Sequence, residues 1–538
     1  MKVAITQLNC TVGDIAGNAK KILTEALAAK AQGASLFVTP ELSLCGYPPE
    51  DLLLRGDFLS ACDVALKKLA KALPDDLTVI VVHPHQVGDD CFNAASVLQS
   101  GEIFATYHKH ELPNHSVFDE KRYFSAGTEP LVFTHQGCRV GVLVCADVWE
   151  PEPALKAKTA GAELLVVLNA SPFHIDKQTT RYEVVSKRVF ETQLPIVYTN
   201  MVGGQDELVF DGASFVMDAH GEVIHQFPAF EPCLGVIAFN RAQPLSAEKT
   251  AALSLEASVY TALKLGLHDY IHKNNFKGVV LGLSGGIDSA LTLAIAVDAL
   301  GKEKVHAVMM PSEFTADMSV NDAREMVKIL GVRYEEIAIK DLFEHYLKTL
   351  SPLFGDLPMD ATEENLQARI RGMLLMAISN KFGSIVVTTG NKSEMAVGYC
   401  TLYGDMAGGF ALLKDVPKTL VYRLANYRNQ LGYVIPENII TRAPSAELRA
   451  NQTDQDSLPQ YDVLDGIIEA YVEDDLSIDE IVSAGFARKE VERVIRMIDR
   501  NEYKRRQAPV GVRITDRGFG KDRRHPITVK LDFAVDLQ

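Results

Sequence analysis

The stretch that most constrains this chain is LGLSGGIDSA, Leu281 to Ala290. It opens within an apolar run, Gly278 to Leu283, that reads as a short buried strand, and it leads into ALTLAIAVDAL, whose Ala and Leu spacing reads as a helix. A Gly-Gly turn at a strand-to-helix junction presents backbone N–H groups at a helix N-terminus and lets the main chain approach a ligand closely. Ser284 and Ser289 add hydroxyl donors, so the loop reads as a site for phosphate or pyrophosphate. Asp288 within it would repel phosphate; a bridging cation removes that conflict, which predicts Mg2+. The loop lacks the Gly-Lys-Ser/Thr ending of a Walker A sequence, so a cut in ATP other than γ-phosphoryl transfer is indicated.

At 538 residues the chain exceeds one ordinary domain, and a typical domain of about 150 residues gives roughly three units, with two large ones also fitting. A net charge of −16 and a pI near 5.4 weigh against a nucleic-acid backbone as the main partner. The eight cysteines (Cys10, Cys45, Cys62, Cys91, Cys138, Cys145, Cys233 and Cys400) form no C-x-x-C pair, which disfavours a zinc cluster or a disulfide framework and predicts a cytoplasmic location. The opening MKVAITQLNC has no signal-like segment and no run of about 18 apolar residues occurs, so neither secretion nor membrane insertion is expected.

In the first half, Val3 to Leu8 reads as a strand, Asn18 to Gln32 as a helix and LFVTPEL as a second strand. Glu41 therefore stands just past the end of a buried strand, where a carboxylate must be exposed, paired or functional. LTVIVVHP repeats the strand pattern, EIFATYHKHELP ends a strand near Lys109, and CRVGVLVCADVWEP delivers Cys145. Nucleophilic acyl chemistry needs a thiol, a base and a positive group facing the oxyanion, and these three residues supply those types. Taken singly, each has a plainer reading: a small core residue, a satisfied turn carboxylate, a solvated lysine. His108, His110 and His115 put two imidazoles on one strand face, but spacing supplies no further ligand and no metal is expected there.

The neighbouring words tip the reading. TPELSLCGYPPEDLL, YHKHELPNHSVFDEKRYF and GVLVCADVWEP resemble, in order, three motifs of the nitrilase superfamily, specifically its glutamine amide-hydrolysing domains, over roughly Met1 to Asn240. The resemblance implies Glu41 as general base, Lys109 as oxyanion-stabilising amine and Cys145 as acyl-forming nucleophile, with Glu120 as a supporting carboxylate. It also implies a glutamine pocket lined by Ser171 and Lys177, in NASPFHIDK, and by the position of His115, which is often an aromatic hydroxyl residue in relatives. The commoner Cys-Glu-Asp after the nucleophile strand is Cys-Ala-Asp here.

Between Phe239 and Ser258 the sequence turns small, polar and helix-permissive, so a first domain over 1–243, a linker over 244–258 and a second domain over 259–538 are expected. VHAVMMPS and SIVVTTGN read as further buried strands, with helical patterns over Val320 to Leu330 and Asn365 to Lys381, which predicts a parallel, doubly wound sheet with ligands at the carboxyl ends of its strands. The opening loop resembles the SGGxDS loop of the N-type ATP pyrophosphatases. With EENLQARIRG, MPSEFTADMS and TTGNKSEMAVGYCTLYGDMAGGFALLKDVPKT it is similar to the NAD synthetase family, and the nitrilase-like first half implies the glutamine-dependent form. The fold implied is α/β, a nitrilase-like α-β-β-α sandwich followed by a doubly wound parallel sheet of the adenine nucleotide α-hydrolase type.

That resemblance implies ATP, deamido-NAD and glutamine as substrates. It puts Gly282, Leu283, Ser284, Gly285, Gly286, Ile287, Asp288, Ser289 and Thr389 on ATP, and Asn365, Glu394, Asp405 and Lys504 on deamido-NAD. In-line displacement at phosphorus needs charge neutralisation, expected from Mg2+ on Asp288 and Glu394 with Lys418 as a phosphate partner. A homo-oligomer and a sheltered passage for ammonia are also implied. Ala443 to Gly466, rich in turn-forming and charged residues, reads as a lid over a reactive intermediate. Rival readings remain: a different glutamine-dependent ligase, an RNA-thiolating enzyme, which needs a reactive cysteine near the loop where the second half has only Cys400, and a scaffold with degenerate sites.

Overall fold

The computed structural model describes residues 1–449 and 452–529. The chain divides into two compact units, Met1–Ser254 and Leu255–Gln538.

The first unit is built on β1 (Lys2–Gln7), β2 (Leu36–Val38), β3 (Thr78–Val87), β4 (Asp90–Gln99), β5 (Glu102–His108), β6 (Leu131–His135), β7 (Cys138–Val144), β8 (Leu164–Asn169), β9 (Ile196–Asn200), β10 (Val202–Gln205), β11 (Leu208–Asp211), β12 (Phe215–Met217), β13 (Val223–Gln226), β14 (Cys233–Asn240) and β15 (Gln243–Pro244). A seven-stranded sheet runs β15-β14-β1-β2-β3-β4-β5 and a six-stranded one β13-β12-β9-β8-β7-β6. One continuous core takes Val3, Val38 and Val81 from the first sheet and Val140, Val142 and Val166 from the second, so the sheets pack face to face. Helices α1 (Ile15–Ala31) and α2 (Gly56–Ala72) cover the first sheet, and α3 (Pro151–Thr159) and α4 (Lys177–Thr192) the second, giving the α-β-β-α sandwich. The parallel strands are buried on both faces, which is why LFV and LLVVLN are uninterrupted apolar runs rather than alternating ones. In the stretch expected as linker, Pro244 closes β15 and Thr250 N donates to Gln226 O at 3.0 Å, while helix α5 (Leu255–Lys273) opens the second unit.

The second unit carries a five-stranded sheet of β16 (Val279–Gly282), β17 (Val305–Met309), β18 (Arg333–Glu336), β19 (Ile385–Thr388) and β20 (Phe410–Ala411), in the order β18-β17-β16-β19-β20. Every pairing is parallel, and the order reverses direction at β16, the strand that feeds the SGG loop. A crevice beyond the carboxyl ends of strands at such a reversal is where doubly wound sheets take ligands. A separate cluster of helices closes the unit around Leu464, Ile467, Val491, Val494 and Ile498. The basic C-terminal run is largely consumed internally: buried Arg505 pairs with Glu502 at 3.0 Å and buried Arg513 with Asp522 at 2.6 Å.

Candidate active sites

Three strand ends converge in the first unit. Glu41 lies just beyond β2, Lys109 follows β5 directly and Cys145 follows β7. Lys109 Nζ is fully buried and donates to Glu41 Oε1 at 2.7 Å and to Glu120 Oε1 and Oε2 at 2.9 and 2.8 Å. Asn93 Nδ2 also donates to Glu41 Oε1 at 2.8 Å, Ala170 N to Glu41 Oε2 at 3.0 Å, and Tyr47 OH to Glu120 Oε1 at 2.9 Å. Each carboxylate oxygen is thus oriented by donors from distant parts of the chain, which fixes both side chains rather than leaving them to rotate. Glu120, implied only as a support, is an equal partner of the ammonium.

A single ammonium between two buried carboxylates leaves excess negative charge. Burial accordingly pushes the Glu120 carboxyl up to about 7, against the pull of Lys109. Burial alone would lower the Lys109 ammonium, but Glu120 and Glu41 hold it above the ordinary lysine value. Burial, and then the Glu41 carboxylate, push the Cys145 thiol well above its usual value, with Glu41 its hydrogen-bond partner. The Cys145 thiol is therefore held neutral beside the Glu41 carboxylate. Its backbone sits at φ +46°, in the left-handed region that a non-glycine residue occupies only when its surroundings impose it.

The residues implied for the glutamine pocket separate. Ser171 is buried and clamped: its N donates to Asn200 Oδ1 at 2.9 Å, and Arg181 Nε donates to its Oγ at 3.2 Å. Arg181, also fully buried, makes a two-pronged pair with Asp211 at 2.8 Å on each prong. Lys177, the first residue of α4, holds its ammonium 4.2 Å from the centre of the Trp149 ring. His115 is exposed, its ring edge-on to Phe118.

In the second unit a cavity of about 630 Å³ opens at the carboxyl ends of β16, β17 and β19. Of the residues expected to meet ATP, all but Gly285 line it. Gly285 sits behind the loop at φ +79°, where a Cβ would stand 2.4 Å from Ser319 O, so only glycine closes the turn. Ser284 N donates to Ser289 Oγ at 3.2 Å, and Ser289 Oγ donates to Gly286 O at 2.9 Å, so the loop is braced by its own hydroxyls.

Asp288 lies in the first turn of α6 (Ile287–Leu300) and Glu394 in a short helix, Lys392–Val397, after β19. Lys418 Nζ lies 2.5 Å from Asp288 Oδ2 and 3.6 Å from Glu394 Oε1. Asn391 Nδ2 donates to Asp288 Oδ1 at 2.8 Å, and Asn391 N donates to Glu394 Oε2 at 3.2 Å. Burial and the nearby Asp288 carboxylate push Glu394 up to about 8. Two carboxylates drawn to one cation fit a Mg2+ shared with phosphate, since that ion takes one or two carboxylates and completes its shell with phosphate oxygens and water. Among the described residues no three His, Cys, Asp or Glu side chains surround a point by themselves.

The four residues implied for deamido-NAD split. Glu394 and Asp405 line the cavity, whereas Asn365 and Lys504 brace the loop beside it. Thr401 Oγ1 donates to Asn365 Oδ1 at 2.8 Å, Thr401 N donates to Asp405 Oδ1 at 2.7 Å, and Lys504 Nζ donates to Gly398 O and Cys400 O at 2.7 and 2.8 Å. The segment read as a lid contributes Ala443 to Arg449 to the lining, with residues 450 and 451 outside the described set. Arg442 grips Gly285 O and Ser319 Oγ, and Ser319 Oγ donates to Glu447 Oε1 at 2.5 Å. Sequence reasoning missed Arg371, which lines the cavity with its Nε donating to Met310 O at 3.0 Å, and whose burial lowers its guanidinium to about 10. It also missed Tyr47, Asn93 and Asp147; Asp147 is the last residue of the Cys-Ala-Asp word.

Comparison with known proteins bears on both units. Residues 2–245 match the carbon-nitrogen hydrolase family and residues 259–508 the NAD synthase family. The glutamine-dependent NAD(+) synthetase of Acinetobacter baylyi is 48% identical over 531 residues, covering 98% of each chain. That of Thermotoga maritima is 45% identical over 566 residues, again covering 98% of each. The structure of glutamine-dependent NAD+ synthetase from Acinetobacter baumannii in complex with adenosine diphosphate is 47% identical and superposes with a TM-score of 0.80 over 98% of both chains.

Proposed function

This chain belongs to the family of glutamine-dependent NAD(+) synthetases, and from that premise we propose how its residues convert deamido-NAD to NAD with ATP and glutamine. The observation that carries the reading is that one chain holds two complete but chemically different constellations, a buried thiol with its base and ammonium in one unit and a phosphate-type loop facing paired carboxylates in the other.

In the first unit Glu41 takes the Cys145 proton as sulfur attacks the glutamine carboxamide carbon. Deprotonation is coupled to attack, because the resting thiol is neutral. The negative oxygen that forms faces the Lys109 ammonium, held charged by Glu41 and Glu120. Glu41 returns the proton to the leaving nitrogen, ammonia departs, and a thioester remains. Water, deprotonated by Glu41, cleaves the thioester to release glutamate and restore the thiol.

In the second unit the nicotinate carboxylate of deamido-NAD attacks the α-phosphorus of ATP, pyrophosphate leaves, and an acyl adenylate forms. Backbone N–H groups in the first turn of α6, from Ile287 to Ser289, and the Lys418 ammonium receive the phosphate charge. Asp288 and Glu394 would hold Mg2+, which supplies charge neutralisation on the departing pyrophosphate. Ammonia then attacks the acyl carbon, AMP leaves, and NAD is the product. The segment from Ala443 to Gly466, which lines the cavity through Ala443 to Arg449, Gln452 and Asp454, would shield the adenylate from water. Limited proteolysis there should slow when ATP and deamido-NAD are present; equal rates would remove this role.

The setting we propose is a homo-oligomer in the cytoplasm, acting on small molecules. All eight cysteines are free, and no helix among the described residues is long and apolar enough to cross a membrane. The whole reading is tested by supplying deamido-NAD, ATP and Mg2+ with glutamine or ammonium in parallel. NAD with AMP and pyrophosphate from both nitrogen sources is expected. ADP and phosphate in their place, or no NAD despite glutamate release, would refute it.

A further inference from the structure

We propose that Asp147 is a positioning residue for glutamine hydrolysis, its carboxylate setting the placement of the Cys145 elbow against the strand end that carries Lys109. This rests on the roles given above to Cys145 and Lys109. Asp147 is fully buried in the turn Cys145–Val148. Its Oδ2 accepts from Val144 N and Tyr107 OH, both at 2.8 Å, and its Oδ1 accepts from His110 N at 3.0 Å and Glu111 N at 2.8 Å. Val144 immediately precedes Cys145, and Tyr107, His110 and Glu111 flank Lys109 along the chain. The four donors therefore come from the two segments whose functional groups must face one another.

The opposite side of Lys109 has no slack. Its N donates to Asn93 O at 2.9 Å and its O accepts from Gly127 N at 2.8 Å. A Cβ on Gly127 would lie 2.2 Å from His108 O, so the loop behind is already in contact. On the other segment the Val144–Asp147 bond closes the turn that holds Cys145 at φ +46°. An ionised carboxylate offers two acceptor oxygens and no donor; a carboxamide in its place would set an N–H against one pair of donors.

The test compares Asp147→Asn with the unaltered protein in glutamine hydrolysis, in ammonia-driven NAD formation and in the pH profile of Cys145 alkylation by iodoacetamide. The ionisable groups whose charges reach that thiol are Glu41, Lys109, Glu120, Tyr47, Tyr198 and Arg181, and the first three act on it most strongly, so its profile reports their placement. Misplacing reacting groups by about 1 Å should cut kcat for glutamine about 100-fold while KM moves less than about threefold, with the ammonia-driven rate within about twofold of the original. The alkylation midpoint should rise as the thiolate loses the ammonium. A folded Asp147→Asn with undiminished glutamine turnover, or with reduced turnover and an unchanged alkylation profile, overturns the proposal. Should that variant fail to fold, Tyr107→Phe, which removes one donor of four, decides: a smaller loss of kcat with the same upward shift supports it, and no change in either overturns it. Cys145→Ala in the same assays keeps the two levels apart. If it retains glutamine-driven synthesis, the assignment of the nucleophile has failed, independently of Asp147.

Discussion

Replacing Gly285 with alanine strikes the nucleotide loop where its geometry is tightest. At φ +79° an alanine pays roughly 1–2 kcal/mol for the left-handed backbone. Its Cβ would also stand 2.4 Å from Ser319 O, whereas ordinary contact begins at 3.4 Å. Relieving that overlap moves the loop by about 1 Å, a displacement that costs on the order of 100-fold in rate when it falls on positioned reactants. The loop has little freedom to absorb the shift, because Gly285 O is gripped by Arg442 and the next turn is knit by Ser284 and Ser289. The assay is ammonia-driven NAD formation at varied ATP. We expect kcat/KM for ATP to fall about 100-fold, or about 2.7 kcal/mol of transition-state stabilisation. Glutamine hydrolysis in the first unit should stay unchanged. An ammonia-driven rate close to the original in the folded variant would refute the argument that close approach of this loop supports catalysis.

Lys109→Met should abolish glutamine hydrolysis and destabilise the first unit by about 3–5 kcal/mol, because it strands two buried carboxylates; adding Glu120→Gln should recover stability without activity, as thermal melts and glutamate release would show. Glutamine hydrolysis should decline on the acid side of about pH 7. Below that pH Glu120 is protonated and one of the charges holding the Lys109 ammonium is lost, whereas above it the activity should level off. A pH profile of kcat/KM checks this, and a limb below pH 5 would contradict it.

Much of this arrangement was legible because strand patterns mark strand ends: Glu41 and Cys145 follow buried apolar runs, and Lys109 follows the more exposed strand EIFATYH. The SGG loop was legible for the same reason, as a change of period from strand to helix around two glycines. What stayed hidden is what crosses the fold. Asn93 reaches Glu41 over 52 positions and Tyr47 reaches Glu120 over 73, and no local pattern marks a partner at that range. The basic run YKRRQAP reads equally well as a solvated face, yet Lys504 holds two loop carbonyls and Arg505 is buried against Glu502. Asn365 and Lys504 brace the loop beside the cavity rather than lining it, a distinction that only packing reveals.

The central claim is that two separable chemistries share this chain. Cys145→Ala, assayed for NAD, AMP and pyrophosphate with glutamine and with ammonium as nitrogen source, tests it most directly. The account predicts that glutamine-driven synthesis disappears while ammonia-driven synthesis persists with AMP and pyrophosphate in equal amounts. Loss of both activities in a folded variant, or survival of the glutamine-driven one, would contradict it.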